Sequence, residues 1–226
     1  MRPFTQAATI LRKDLLTELR SGELFASMLL FALLLVLLFS FSFTRGEDSS
    51  PESAAGILWI SMTFAGTLGL SRAFDREREA DGLRAMLLSP ASRGAILIAK
   101  AVGILVFMLI TAILIVPLVA LLFQVPLVDS IARLGILLFL GMLGFSLLGA
   151  FFGALMAKGR SRDLLFLICL YPLSFPLLIA GVLGTAELFS GEPVRARVEL
   201  FTSILVAFDA LIAVAALWMF ERLVVE

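Results

Sequence analysis

Hydrophobic residues in this chain are gathered into six long runs, and the short segments between the runs carry most of the charge. The runs cover residues 24–43, 54–70, 101–123, 134–157, 164–186 and 200–220. An α-helix rises about 1.5 Å per residue, so about 20 apolar residues cross the ~30 Å hydrocarbon core of a bilayer. Backbone amides in lipid must be satisfied within the segment, which favours helices. The pattern predicts an all-α polytopic membrane protein with six transmembrane helices in a single domain, residues 1–226.

The distribution of positive charge predicts the orientation of the chain in the membrane. Apolar residues make up 61% of the sequence and charged residues 16%, with a formal net charge of zero. Fourteen of the 18 Lys and Arg residues lie before the first run and after the second, fourth and sixth runs. The positive-inside rule therefore predicts that both termini are cytoplasmic.

The first 21 residues form a pattern of their own. Apolar residues recur there at helical spacing, namely Phe4, Ala8, Leu11, Leu15 and Leu19. Polar and basic residues occupy the other side, which predicts an amphipathic helix along the cytoplasmic interface, near anionic lipid. A helix packed on another subunit would show the same periodicity, so both interpretations stay open.

The longest hydrophilic segment, residues 71–93, lies between the second and third runs on the predicted cytoplasmic side. Opposite charges three residues apart, at Arg72, Asp75 and Arg78, support a continuation of the second helix into water. Asp81 and Gly82 interrupt that helix, and Asp is a favourable N-cap for a new turn.

A short amphipathic helix is predicted after this interruption. Its apolar face carries Leu83, Met86 and Leu87, and the Ser89-Pro90 pair ends it. Such a helix can insert into a groove of a soluble partner or lie on the bilayer surface. Both interpretations require the same periodicity.

Two sequence blocks carry a resemblance to a known family. EREADGLRAMLLSP, followed by AILIAK, resembles the intracellular loop of ABC-2 type permeases, and more narrowly that of the CcmB family (haem exporter protein B, cytochrome c maturation). The matching positions are Asp75, Glu79, Asp81, Gly82, Leu83, Leu87, Leu88, Ser89, Pro90, Ala99 and Lys100. LYPLSFPLLIAG at 170–181 is similar to the Tyr- and Pro-rich fifth span of that family, and LRKDLLTELR fits its opening basic helix.

The resemblance implies a non-catalytic permease subunit of the bacterial inner membrane. It would pair with a second copy of itself and with a cytoplasmic CcmA-like ATPase, beside CcmC, CcmD and the haem chaperone CcmE. ATP hydrolysis would drive release of the haem-loaded chaperone. The residues implied in coupling to the ATPase are Asp75, Glu79, Asp81, Gly82, Leu83, Met86, Leu87, Ser89 and Pro90. Alternatives are an ABC-2 exporter of a drug, lipid or polysaccharide, and a membrane scaffold that recruits the ATPase without transport.

The sequence itself limits the chemistry of the chain. It contains no G-x-x-x-x-G-K-[ST] phosphate loop, so ATP is expected on a partner subunit. With no His and Cys169 as the only thiol, it offers no disulfide, no zinc site and no proximal haem histidine. We expect no metal or cofactor bound by the chain itself, haem as cargo of the complex, contact with membrane lipid and no nucleic-acid partner.

Asp209 is the only carboxylate well inside a predicted span. An ionised side chain at that depth costs about 3 kcal/mol or more. It must therefore be neutral, be paired, or face water or the interior of the bundle. A role in a polar path and a packing role both fit, and Tyr171 is a candidate hydrogen-bond donor to it.

Prolines and small residues mark the fifth and fourth spans. Pro172 and Pro176 share one face of the fifth span, where they predict either a hinge that lines a pathway or a static kink. Gly149, Gly153 and Ala157 repeat every four residues in the fourth span, which is typical of close helix packing. Residues 187–199 fit either a short external helix or a fifth span that ends near Ala180 and continues as a re-entrant segment.

Overall fold

Seven α-helices form the part of the chain that the computed structural model describes, residues 3–43, 50–79, 93–127, 130–156 and 162–223. They are α1 (Pro3–Ser21), α2 (Glu23–Phe43), α3 (Pro51–Glu79), α4 (Arg93–Phe123), α5 (Ile131–Met156), α6 (Arg162–Phe189) and α7 (Arg195–Leu223). In these ranges six helices, α2 to α7, are long and apolar enough to cross a membrane, and no strand is present. The predicted all-α, six-span architecture is confirmed.

Several helices are longer than the apolar runs that predicted them. At the start of α3, the Ser50 hydroxyl accepts the backbone N–H of Ser53 at 3.2 Å, and Pro51 occupies the first helical position. This is a standard N-terminal cap followed by the residue best suited to the first turn. The same helix runs nine residues past Leu70 to Glu79, and α4 already begins at Arg93.

The connection between α6 and α7 differs from both alternatives that the sequence left open. Helix α6 continues through Ala180 to Phe189, and residues 190–194 alone separate it from α7. The connection is therefore a tight turn, which contains neither a separate external helix nor a re-entrant segment.

The Glu187 carboxylate explains why this turn is so short. It accepts the backbone N–H of Val194 at 2.9 Å, at the start of α7, and pairs with Arg197 at 3.4 Å. Gly191 adopts a φ of 84°, a left-handed conformation that glycine reaches without steric cost. The last turn of α6 thereby caps the first turn of α7.

The six long helices alternate in direction. Met28, in the first turns of α2, contacts Gly69 in the second half of α3, as antiparallel neighbours require. With six alternating crossings, α1, the end of α3, the start of α4, the end of α5 and the start of α6 belong to one end of the bundle, called here the α1 end. The end of α2, the start of α3, the end of α4, the start of α5 and residues 190–194 belong to the opposite end, called here the far end.

The core of the bundle surrounds α3 and α5. These two helices are the most buried of the six, whereas α2, α6 and α7 present most of their surface outward. The largest fully buried side chains on the inner helices include Leu58, Met62, Leu70 and Phe145. Helix α3 thus runs through the middle of the subunit, and its end at Glu79 leads directly into residues 80–92.

Candidate functional site

The residues implied in ATPase coupling lie outside the part of the chain whose side chains are described. Asp75 and Glu79 fall within α3, but nothing is described of their side chains. Residues 81–90 lie wholly outside the described ranges, and with them the remaining coupling residues and the short amphipathic helix. Their role stays a prediction, and the described helices that flank this segment in the chain are α3 and α4.

A nearly buried ion pair joins α1 to α4 at this end of the bundle. The Lys100 ammonium donates to Asp14 Oδ2, and the two side chains are 8% and 21% exposed. Lys13 also pairs with Asp14, at 3.0 Å, from a position that is 54% exposed. Gly103 of α4 lies close to Leu11 of α1, since a Cβ atom added at Gly103 would be 3.6 Å from Leu11 Cδ1. An apolar contact therefore accompanies the charged one.

Glu18 ties the other end of α1 to α2. Its carboxylate is buried, accepts the backbone N–H of Phe25 at 3.0 Å and contacts the Ser21 hydroxyl at 3.4 Å. A carboxylate on a first-turn N–H compensates the positive end of the helix dipole. Helix α1 is therefore held at two places, on α2 and on α4. Leu16 and Leu19 stay exposed on it, and its placement at the lipid interface stays a prediction.

Asp209 lies in the interior of the bundle, where α7 meets α5 and α6. It is only 6% exposed, and neither carboxylate oxygen has a hydrogen-bond partner within the described residues. Gly144 of α5 makes room for it, because a Cβ at that position would overlap both Asp209 Oδ1 and a methyl group of Leu177. A buried polar group without a partner is costly, so its retention marks Asp209 as a candidate functional residue.

Tyr171 does not donate to Asp209, contrary to the expectation from sequence. Its hydroxyl lies 3.2 Å from Thr67 Oγ1 on α3, and its ring lies 5.8 Å from the ring of Phe64. The reason is geometric, since Tyr171 faces α3 whereas Asp209 faces α5. Thr67 and Tyr171 nevertheless form a polar link between the second and fifth spans, in the half of each span nearer the α1 end.

The two prolines of α6 leave the helix unbroken. The helix continues through Pro172 and Pro176, and both residues lie on the exposed face of the subunit. The hydroxyl of Ser174, itself buried, donates to the carbonyl of Tyr171 at 3.0 Å. Both prolines therefore face away from the subunit's core, and whether they serve as a hinge or a static kink stays a prediction.

The glycines of α5 accommodate large side chains from α3. A Cβ at Gly149 would overlap Leu70, and a Cβ at Gly153 would overlap Phe74. Ala157, the third member of the repeat, lies outside the described residues. These contacts lie at the α1 end, close to where α3 leaves the bundle.

Trp59 is a functional candidate that the sequence reading missed. Its buried indole ring lies over Gly141 of α5 and Gly181 of α6, and its N–H donates to Thr185 Oγ1 at 2.9 Å. The only signal for it in the sequence is the presence of glycines in two separate spans. That signal does not indicate which large side chain packs against them. The same applies to the Lys100–Asp14 pair, whose members are 86 residues apart.

Truncating Asp209 provides a test of its role. Asp209→Ala should raise the free energy of unfolding by about 1 kcal/mol or more, because it removes a buried polar group that lacks partners. Thermal unfolding of the purified protein in detergent, followed by circular dichroism, measures this. Loss of function despite higher stability would identify a functional carboxylate.

The matched control for Asp209 is Glu199→Ala, on the same helix but exposed and paired with Arg195. Its expected effect is within about 0.5 kcal/mol of zero. If Asp209→Ala is less stable than the native chain, the carboxylate has a stabilising partner. The description of Asp209 as a buried group without a hydrogen bond would then be wrong.

Potential metal ligands are sparse in this structure. Within the described residues no group of three or more His, Cys, Asp or Glu side chains is arranged to hold a metal ion. Cys169 is a free, half-buried thiol on α6. Polar contacts between helices in the described part of the bundle include the Asp14–Lys100 pair, the Thr67–Tyr171 pair and the Trp59–Thr185 hydrogen bond.

Comparison with known proteins assigns the family. A comparison with curated proteins gives no match. The family model described as CcmB protein matches residues 5–221 of the 226. This range covers nearly the whole of the seven-helix bundle, from α1 to the last turn of α7. The chain is a multi-pass integral membrane protein that belongs to the CcmB protein family, a family of permease-type membrane subunits.

Proposed function

We propose that this chain is the membrane permease subunit of an ABC-type complex that handles haem during cytochrome c maturation. The observation that carries the proposal is the family match over residues 5–221, on a bundle of six membrane-spanning helices. ATP would be hydrolysed by a separate CcmA-like subunit, because the sequence has no phosphate-binding loop. A second copy of the chain, CcmC, CcmD and the chaperone CcmE complete the proposed complex.

In this proposal the α1 end faces the cytoplasm. Fourteen of the 18 basic residues lie before the first apolar run and after the second, fourth and sixth runs, the segments that the positive-inside rule assigns to the cytoplasm. The membrane would be the bacterial inner membrane, with both termini cytoplasmic. Residues 71–93 would then emerge where a soluble ATPase can bind them.

The closing motion of the ATPase would enter the bundle through α3 and α4, the two helices that flank residues 80–92. Helix α3 has two hydrogen-bonded links to α6, Thr67 with Tyr171 toward the α1 end and Trp59 with Thr185 toward the far end. Helix α4 carries Lys100, which connects it to α1. A displacement at Glu79 or Arg93 would therefore be transmitted to α6 and α1 together.

Haem enters this proposal as cargo of the complex and not as a resident cofactor of the chain. The sequence has no histidine for the iron, so axial ligation would be supplied by partner subunits. The contribution of this chain would be to change the conformation of the complex when ATP is hydrolysed, so that the haem-loaded chaperone is released.

Binding of the ATPase is the step to test first. The double variant Asp81→Lys/Leu83→Asp reverses one charge and places a carboxylate on the apolar face of the predicted docking helix. We expect co-purification of the ATPase with the tagged chain to fall at least about tenfold, since an anchor residue of an interface is worth about 2 kcal/mol or more. Haem absorption spectra of the co-purified proteins report the cargo in the same experiment.

The control for this experiment is Glu192→Lys, an exposed charge reversal in the turn at the far end. It should co-purify the ATPase at the native level. Native-level ATPase in the Asp81→Lys/Leu83→Asp sample would refute the docking role of residues 71–93. ATPase without haem-containing partners would favour an exporter of another cargo.

A further inference from the structure

A pocket of about 460 Å³ opens at the far end of the bundle, between the first turns of α5 and α7. It lies at the opposite end from the proposed ATPase surface. Its lining residues are Arg133, Ile136, Arg195, Val198, Glu199, Thr202 and Ser203. Pockets that hold small molecules usually have volumes of about 300–1,000 Å³. Charged and aliphatic side chains share the walls, which suits a ligand with a charged head and an apolar body.

The pocket carries a net positive charge, since two guanidinium groups face one carboxylate. Arg195 Nε donates to Glu199 Oε1 at 2.8 Å, but both side chains are exposed, so this pair is weak. Within the described residues the terminal amino groups of Arg195 make no hydrogen bond, and Arg133 makes none at all through its side chain. Most of the donors of both arginines are therefore available.

The hydroxyl groups of the pocket are already engaged. Thr202 donates to the carbonyl of Val198 at 2.7 Å, and Ser203 donates to the carbonyl of Glu199 at 2.8 Å. A ligand therefore meets guanidinium donors and not hydroxyl donors. Guanidinium groups bind phosphate through paired, charge-assisted hydrogen bonds.

We propose that this pocket binds the phosphate of an anionic phospholipid headgroup. The pocket lies at the ends of two membrane-spanning helices, the level at which lipid headgroups are found. Ile136 and Phe139 are exposed one turn apart on α5, and Val206 is exposed on α7. These residues provide an apolar surface for acyl chains below the headgroup. The net positive charge favours anionic over zwitterionic lipid.

Native mass spectrometry of the purified chain, with added phosphatidylglycerol or phosphatidylcholine, tests the proposal. The native chain should bind phosphatidylglycerol at least about tenfold more tightly than phosphatidylcholine. The Arg133→Gln/Arg195→Gln variant should lose that preference. The control Arg197→Gln removes an arginine of the same end of the bundle, whose side chain is 67% exposed and does not line the pocket, and should keep the preference.

A further variant, Glu199→Gln, should change the affinity for phosphatidylglycerol in the opposite direction. Glu199→Gln removes the one carboxylate among the lining residues, so phosphatidylglycerol should bind more tightly to it than to the native chain. This keeps the test decisive if the double arginine variant does not fold. Weaker or unchanged binding by Glu199→Gln, or native affinity in a folded double arginine variant, would overturn the proposal.

Inorganic phosphate distinguishes the lipid from a free anion. If the pocket takes lipid, millimolar phosphate should leave bound phosphatidylglycerol in place. If phosphate displaces the lipid from the native chain but no longer binds to the double arginine variant, the two arginines bind phosphate as a free anion. The pocket would then be a site for a free anion and not for a lipid headgroup. The failure of this proposal would leave the proposed function intact, because the pocket and the ATPase surface lie at opposite ends.

Discussion

Replacing Gly141 with alanine is expected to lower the free energy of unfolding by about 2–3 kcal/mol, a typical cost for overpacking a core. The added Cβ would overlap the six-membered ring of Trp59. The ring has little room to retreat, since a Cβ at Gly181 would lie only 2.5 Å from its Cζ2 atom, and the indole N–H is bound to Thr185. Three spans, α3, α5 and α6, would have to separate to relieve the overlap.

The control for Gly141→Ala lies on the same helix. A Cβ at Gly135 has no neighbour within 4 Å, so Gly135→Ala should leave stability unchanged or slightly higher. The combination Trp59→Leu/Gly141→Ala should recover part of the loss relative to Gly141→Ala, because a smaller side chain leaves room for the methyl group. Thermal unfolding of the four proteins in one detergent measures these differences. Equal stability of Gly141→Ala and Gly135→Ala would show that Trp59 is not held as described.

The number of spans could be predicted because it depends on composition within each segment, whereas the orientation of the chain stays a prediction. A run such as 134–157 has no polar face, and nothing but a membrane or a large core can cover it. The ends of the helices are harder to predict, since a charged residue can either end a helix or be paired within it. Helix α4 begins at Arg93 and not Ala101, because Lys100 is paired with Asp14 and so does not terminate the helix.

The end of α6 and the start of α7, at the far end of the bundle, are a second place where polar residues belong to helices. From the sequence, residues 187–199 fit either a short external helix or a re-entrant continuation of the fifth span, because this polar segment contains Gly191 and Pro193. In the structure Glu187 caps the backbone of the next helix, so polar residues stabilise helix ends here. Capping across a turn needs a partner seven residues away, which periodicity alone does not reveal.

The candidate site could be predicted only where a single residue is unusual by itself. Asp209 stands out in the sequence because an acid deep in an apolar run is rare. In the structure it is buried and has no hydrogen-bond partner among the described residues. Tyr171 was assigned to the wrong partner, because the choice between Asp209 and Thr67 depends on which face of α6 meets α3. Trp59 and Lys100 depend on contacts across more than 80 residues, which a single sequence does not encode locally.

Breaking the Asp14–Lys100 pair is expected to have the other large effect. Asp14→Leu leaves the Lys100 ammonium, whose side chain is 8% exposed, without this partner. Removing one member of a buried ion pair costs about 3 kcal/mol or more. The double variant Asp14→Leu/Lys100→Met should be considerably more stable than Asp14→Leu alone, because aliphatic side chains of similar size can replace a buried pair at little cost. Thermal unfolding of the single and double variants measures this recovery.

Lys13 provides the matched control, since it pairs with the same carboxylate from a side chain that is 54% exposed. Lys13→Met should change stability by less than about 1 kcal/mol, the usual limit for surface ion pairs. If Lys13→Met and Lys100→Met were equally damaging, Asp14 would act through its charge at the surface and not through the buried contact. If the double variant were as unstable as Asp14→Leu, Lys100 would depend on other groups.

If instead the double variant is stable but no longer binds the ATPase, the pair does more than hold α1 on α4. The connection between α1 and the helix that follows residues 80–92 would then be part of the coupling path.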